Sequence, residues 1–411
     1  MIRSLSTAVS GLRGHQIKLD VIGNNIANVN TVAFKKSQAR FEDLLSQTMQ
    51  GATAPMVRGG VNPSQVGMGM RVSSIMDNHY QGPIQNTDWE TDLAIEGAGY
   101  FIVSDGREYF YTRDGSFGRD ASGHLVNVNG LRLMGWVGTE SVARAELVPL
   151  HIPLGEQAVA KATSQISFAG NLDVRTAAGD QYSYEQFIFD SLGRCYFVEF
   201  IFSPTAVDNT WTCEVLSEDL AIGAGGAPGV PAVLGTLVFT PDGNLDTASS
   251  TINNLTASPG GATPLDITLN FQGSTQLAGL SNLLVREQDG FTTGELVSFE
   301  IGRAGTITGT YSNGMVENIG QVPLAFFTNP EGLIKEGGNL YQVTSNSGEA
   351  RLGLPGTEGR GLIRSSSLEM SNADIAVEFT ELITTSRAFQ ANTRVVTTSD
   401  EILMEVINMK R

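Results

Sequence analysis

Proline and glycine are distributed unevenly, and that distribution constrains the fold more than any motif. All 14 prolines lie between Pro55 and Pro355. Only three of the 47 glycines, Gly11, Gly14 and Gly23, fall in the first 50 residues, and none falls in 364–411. Proline and glycine break helices, so this 411-residue chain has ends able to form long helices and a middle that is not. Charge follows the same division. Residues 1–50 carry six basic and three acidic groups and 364–411 carry five and seven, so the two ends sum to +1 and 51–363 holds −18 of the net charge of −17. Such acidity argues against a nucleic-acid binder, which needs a basic footprint.

The N-terminal end reads as a helix over residues 2–29. Ile2, Leu5, Val9, Leu12, Leu19 and Ile26 keep a 3-4 spacing, with Gln16 and Gly23 at the intervening seam positions. The Asn-rich run 24–30 should end it, because Asn competes for backbone hydrogen bonds. At the other end, Ser371 and Asp374 form a start resembling a capping box. Ile375, Phe379, Leu382, Phe389, Val396, Leu403 and Ile407 then hold a heptad seam, with Ser386, Thr393 and Asp400 filling its other positions. About 36 helical residues would span about 54 Å. Ile22, Val29, Ile383, Val395, Ile402 and Val406 are apolar but off the seam. Two arrangements fit: an intramolecular coiled-coil stalk, or an assembly surface left unburied until many copies pack together.

The middle reads as β. Residues 31–75 suit extended structure with short strands. Over 93–137, turn signals recur at Asp105-Gly106, Asp114-Gly115, Ser122-Gly123 and Asn129-Gly130, which predicts short meandering strands. Residues 151–290 are β-rich again, with a hairpin pivoting on 190–193 and a surface loop at 221–232. Residues 295–345 return to the earlier style. The order implies one β domain inserted in another. The fold class expected is therefore mainly β with α-helical termini: two nested β domains on a coiled-coil stalk formed by the N- and C-terminal helices. Its expected parts are 1–30 with 371–411 (helical), 31–75 with 356–370 (connecting), 76–150 with 291–355 (first β domain) and 151–290 (inserted domain).

No chemistry announces itself. The four histidines have no zinc-ligand spacing, and His15 and His79 read as solvated or packing residues. There is no Gly-Lys dipeptide for a P-loop and no nucleophile elbow. Gly97-Ala-Gly99 reads as a turn, as do the surroundings of Asp120, Asp242 and Asp246. If Cys213 pairs across a hairpin with about Glu199, Cys195 lies roughly 13 Å away, so both thiols are expected free. No signal peptide and no stretch of 18 apolar residues is visible. Catalysis, cofactors and bound metals are not expected.

The ends also carry a family likeness. Residues 4–37 resemble the N-terminal signature of the flagellar rod and hook axial proteins through Ser10-Gly11-Leu12, Leu19, Ile22, Asn24-Asn25-Ile26-Ala27-Asn28, Asn30-Thr31 and Phe34-Lys35. Ala33 stands where that family usually has Gly. Residues 367–411 resemble the closing helix through Glu369, Ser371-Asn372, Glu381-Leu382-Ile383, Arg387, Phe389-Gln390-Ala391-Asn392, Thr398 and Asp400. Tyr111-Thr112-Arg113, Gly115-Ser116-Phe117, Asp120 and Gly123 resemble the first β domain. The insertion at 151–290, with Asp190-Ser191-Leu192-Gly193 and Tyr311-Ser312-Asn313-Gly314, points to the hook branch; a distal rod subunit, a rigid straight shaft, is the alternative.

The resemblance implies a self-assembling curved tube that joins flagellar motor to filament as a universal joint. It further implies export of unfolded subunits through the flagellar type III apparatus, growth beneath a hook cap protein, a distal rod protein below and a hook–filament junction protein above. The place implied is the hook of the basal body, outside the cell, with neither nucleic-acid binding nor membrane insertion. The expected polymerisation surface is Leu5, Val9, Leu12, Leu19, Ile22, Asn24, Asn25, Ile26 and Asn28 from the first helix. From the last helix it is Ile375, Phe379, Leu382, Ile383, Phe389, Asn392, Val396, Leu403 and Ile407.

Overall fold

The computed structural model describes residues 2–409 apart from 53–59, 61, 138–145, 156, 159, 178, 224–226 and 261. Part of the loop expected at 221–232 thus lies outside the described residues. The chain forms two compact units. One comprises Met1–Ile152, Glu300–Thr308 and Asn318–Arg411; the other comprises Pro153–Phe299 and Gly309–Glu317. The class is mainly β with a helix at each end, as the segregation of Pro and Gly implied. No helix among the described residues is long and apolar enough to cross a membrane.

In the first unit, helix α1 (Ile2–Ala27) ends in turns over the Asn-rich run. It packs against an antiparallel hairpin of Ser37–Asp43 and Met70–Asp77. Helix α2 (Ile375–Asn408) packs along α1. Its N-cap is Asp374, whose carboxylate accepts the N–H groups of Ala376 and Val377 at 2.8 and 3.3 Å. The start therefore lies three residues beyond the expected cap: Ser371 Oγ instead accepts from Ala373 N at 3.2 Å. An Asp cap serves both the orphan N–H groups and the helix dipole.

The β part of this unit follows the turn signals in three of four places. Asp105-Gly106 joins Phe101–Ser104 to Tyr109–Thr112. Ser122-Gly123 joins Gly118–Arg119 to Leu125–Val126, and Asn129-Gly130 leads on to Arg132–Val137. Asp114-Gly115 makes no hairpin. A Cβ at Gly115 would lie 1.7 Å from the carbonyl oxygen of Leu93, so this glycine serves a close backbone approach. Two short pairs tie distant sequence together: Leu93–Glu96 with Leu362–Ser365, and Ile84–Asn86 with Ser367–Glu369.

The second unit contains a four-stranded and a five-stranded sheet with one shared core. In the first sheet Gln165–Asp173 and Leu265–Leu277 run parallel. The second is an antiparallel meander that includes the hairpin Tyr182–Phe189 and Cys195–Pro204, pivoting on 190–193. Period-2 alternation turns Val198, Phe200 and Phe202, then Trp211, Cys213 and Val215, inward. Phe168 stacks on Phe271 at 4.5 Å within that core.

The register differs from the expected one: Cys213 faces Phe202, not Glu199. Cys195 lies seven residues back along that strand, roughly 23 Å away, and both thiols are free. Burial pushes the Cys213 thiol up to about 12.

Candidate assembly surface

The helix pair is built on a different seam from the one that apolar spacing suggests. The buried positions of α2 are Glu378, Thr385 and Ser399, one residue before Phe379, Ser386 and Asp400. The buried residues of α1 include Ala8, Gly11, Gly14, Ile22 and Asn25, of which Gly11 and Asn25 meet α2. The contacts are small and polar. A Cβ on Gly11 would lie 2.8 Å from Asn392 Nδ2, so Gly11 sets the closeness of the helices. Asn25 Nδ2 donates to Glu378 Oε2 at 3.0 Å, and Lys36 Nζ reaches Glu378 Oε1 at 3.3 Å. Lys18 pairs with Glu381 at 3.1 Å and Ser4 Oγ meets Ser399 Oγ at 3.5 Å. Asn25 also brackets Ser37, donating to its carbonyl at 2.9 Å and accepting its N–H at 3.0 Å.

The expected surface residues therefore divide. Ile22 and Asn25 are buried, Ile22 being one of the most enclosed apolar residues of α1 although the spacing put it off the seam. Leu5, Val9, Leu12, Leu19, Ile26, Leu382, Phe389, Asn392, Val396 and Leu403 are half-buried. Asn24 and Asn28 serve the helix end: Asn28 donates to the Asn24 carbonyl from its backbone at 3.1 Å and from Nδ2 at 3.0 Å. Ile375, Phe379, Ile383 and Ile407 are exposed by 47, 47, 51 and 67%. Val377, Val395, Ile402, Met404 and Val406 are exposed as well.

At about 100° per residue, Ile375, Phe379 and Ile383 form a stripe on one side of the polar seam. Val377, Val395, Ile402 and Val406 form a stripe on the other. Beside α1 lies an open, mainly apolar groove of about 530 Å³, lined by residues including Leu5, Val9, Ile17, Leu44, Met70 and Val72.

The helices are anchored by a charged knot that the sequence reading did not assemble. Lys35, Arg113 and Glu369 come from three distant motifs. Lys35 Nζ donates to Glu369 Oε1 at 2.6 Å and to the Tyr80 carbonyl at 2.8 Å. Arg113 reaches Glu369 Oε2 at 3.4 Å, and the Gly82 N–H donates to Glu369 Oε1 at 2.8 Å. Lys35 and Glu369 are fully enclosed. Burial pulls the Lys35 ammonium below the ordinary lysine value, and the Glu369 carboxylate opposes that pull. Removing one partner from such a pair costs about 3–5 kcal/mol, because a buried charge is left alone. The only advance signal was three charged residues inside motifs otherwise made of turn and apolar residues.

Two neighbours complete the knot. His79 Nδ1 is bonded to Tyr100 OH at 2.8 Å, and burial lowers the imidazole to about 4, so it is neutral at pH 7. Ala33 is fully enclosed at φ 56°, in the left-handed region, and its N–H donates to the Glu369 carbonyl at 2.7 Å. The turn thus keeps a glycine-like backbone with alanine in it, at a steric cost of about 1–2 kcal/mol.

Comparison with known proteins places this architecture. The chain is 38% identical to the flagellar hook protein FlgE of Borreliella burgdorferi over the full length of both. It belongs to the flagellar hook protein FlgE family. The FlgE of Escherichia coli is 33% identical over 99% of this chain and all of that one. Family models agree in order along the chain: a flagella basal body rod protein over 5–35, the flagellar basal body protein FlaE D2 domain over 113–291, and the flagellar basal body rod FlgEFG protein C-terminal over 364–409. The crystal structure of Helicobacter pylori flagellar hook protein FlgE2 shares the fold with a TM-score of 0.55 at 17% identity, covering 70% of this chain and all of that one. The full-length hook relatives favour the hook branch over the rod alternative. The chain is thereby a flagellar component of a structural family.

Proposed function

We propose that the chain is a hook subunit that self-assembles into a curved flexible tube and transmits motor torque to the filament. The observation that carries this reading is the pair of apolar stripes on α2, left open on both sides of a polar intramolecular seam. A helix pair finished by itself buries its apolar side chains and shows its polar ones. Here the order is reversed, which suits a helix meant to be flanked by other helices. Burying about 1,500 Å² of apolar surface per subunit would supply on the order of tens of kcal/mol before ordering costs.

In this reading 1–30 and 371–411 line the inner tube, with 31–75 and 356–370 connecting them outward. Residues 76–150 with 291–355, and the inserted 151–290, form the exterior that slides as the tube bends. Of the expected surface, Leu5, Val9, Leu12, Leu19, Ile26, Ile375, Phe379, Ile383 and Ile407 are among the residues that neighbouring copies cover. Partners would be other copies, the distal rod protein, the hook cap protein and the hook–filament junction protein. Delivery would be by the flagellar type III exporter, to the outside of the cell. The role is structural, without catalysis.

Electron microscopy of the purified protein tests this. Curved tubes are expected, straight rods would return the rod reading, and absence of any polymer would sink both. Proteolysis of the soluble monomer should remove both ends and leave roughly 70–360, since a single helix pair joined by a small polar seam is marginal in water.

A further inference from the structure

The assembly reading makes no use of His124 and His151. These residues form an antiparallel bridge. The backbone bonds around them run from Leu125 N to Leu150 O at 3.2 Å and from Ile152 N to Gly123 O at 2.8 Å. That pattern makes them a non-hydrogen-bonded pair, the position at which facing side chains stand closest. The two imidazoles meet with centroids 5.2 Å apart at 64°. Neither ring is hydrogen-bonded to another described residue, and Nδ1 of His124 is enclosed without a partner. Their lone pairs are therefore uncommitted, and no protein hydrogen bond pins either tautomer.

The surrounding turn holds the pair in place. The Asp120 carboxylate accepts the N–H groups of Ser122 and His124 at 2.9 and 2.8 Å. Gly123 has φ +81°, and a Cβ on it would lie 2.9 Å from His151 Nε2. The glycine is what lets the His151 ring lie against the turn.

We propose that His124 and His151 form a two-histidine site for a divalent transition ion of the Zn²⁺ class, with water completing the coordination. Imidazole suits Zn²⁺, Cu²⁺ and Ni²⁺. With metal–nitrogen bonds of about 2.0 Å and a tetrahedral angle, two imidazole centroids on one ion lie about 5 Å apart, matching the separation found. No group of three or more His, Cys, Asp or Glu side chains gathers for a metal among the described residues. The site is thus an exchangeable two-ligand clip, not a closed structural one. It would fasten the turn at 120–124 to the segment that leads out of the first unit at Ile152. Sequence spacing could not reveal it, because the ligands are 27 positions apart and meet only across a strand pair.

Calorimetric titration of the full chain with ZnCl₂ in a non-chelating buffer at neutral pH tests the proposal. One site is expected. His124→Gln and His151→Gln should each weaken it at least tenfold, while His15→Gln leaves it unchanged. No binding at millimolar Zn²⁺, or unchanged binding in both ligand variants, overturns it. Should either variant fail to fold, carbethoxylation of the parent protein decides. Zn²⁺ should slow modification of His124 and His151 at least fivefold and spare His15. Equal slowing at all three, or none, overturns the site.

Discussion

The sandwich of the second unit and the helix α2 use the same kinds of residue in opposite ways. In the sandwich, alternation carries Phe200, Phe202, Trp211 and Val215 inward to less than 2% exposure. In α2, the buried positions are Glu378, Thr385 and Ser399, while Phe379, Ile383 and Ile402 stay about half exposed. A sheet sandwich closes its core with its own chain. The helix packs mainly along α1, and α1 offers small residues and the amide, ammonium and hydroxyl groups of Asn25, Lys18 and Ser4 there. In the assembly reading proposed above, the difference separates a part completed by folding from a part completed by association. It can be broken at several points, ordered here by the expected effect on the stability of the free subunit.

The largest effect belongs to the sandwich. Trp211→Ala removes a side chain that is 1% exposed and should cost about 3–5 kcal/mol, read as a lower urea midpoint. A loss below about 1 kcal/mol would mean that the sandwich is not self-sufficient.

His79, in the knot that anchors the helices, comes next. Its folded value of about 4 lies below the unfolded imidazole value, near 6.5. Its contribution is complete above the unfolded value and is lost as pH falls through the folded one. Stability should therefore drop by about 3 kcal/mol between pH 7 and 4. His79→Gln should flatten that window. An unchanged pH profile in the variant would detach the knot from acid sensitivity.

Ala33 is smaller still. Ala33→Val places a β-branched residue at φ 56° in a fully enclosed site and should cost about 2 kcal/mol. Ala33→Gly relieves the backbone but loses a buried methyl and gains unfolded-state freedom, so thermal melts should show a change within about 1 kcal/mol. A large gain from glycine would mean that the strain is greater than the dihedral implies.

What was legible in the sequence follows the same division. The helices were legible because proline is absent from them and glycine is rare. The hairpins at 105–106, 122–123, 129–130 and 190–193 were legible because their turn residues are local signals. Asp114-Gly115 misled, since the same dipeptide also serves a tight backbone approach. The α1–α2 seam was legible in part: Leu382, Phe389, Val396 and Leu403 are half-buried as the heptad suggested, but the fully buried positions are polar, Glu378, Thr385 and Ser399, and heptad reading follows apolar residues. The knot was hidden for another reason. Lys35, Arg113 and Glu369 lie in separate motifs, and nothing local states that they share one enclosed carboxylate. The strand register at Cys213 was missed because the turn after Pro204 fixes it, and that turn carries no strong signal.

The smallest effect on the free subunit should come from the α2 stripes, and it is the sharpest test of the contrast. Ile383 and Ile402 are 51 and 48% exposed, one in each stripe. Each is about half exposed, so changing either to Asp should move the stability read from a urea melt by less than about 0.5 kcal/mol. In a polymer each would place a carboxylate in an apolar contact, at a cost of several kcal/mol per subunit, repeated at every copy. Sedimentation and electron microscopy should then show monomers that are as stable as the parent and do not polymerise. Ile383→Leu should polymerise normally, separating charge from shape. If the Asp variants instead form tubes as readily as the parent, the stripes are not covered by neighbours. If they unfold the monomer, α2 is completed within the subunit after all, and the contrast with the sandwich fails.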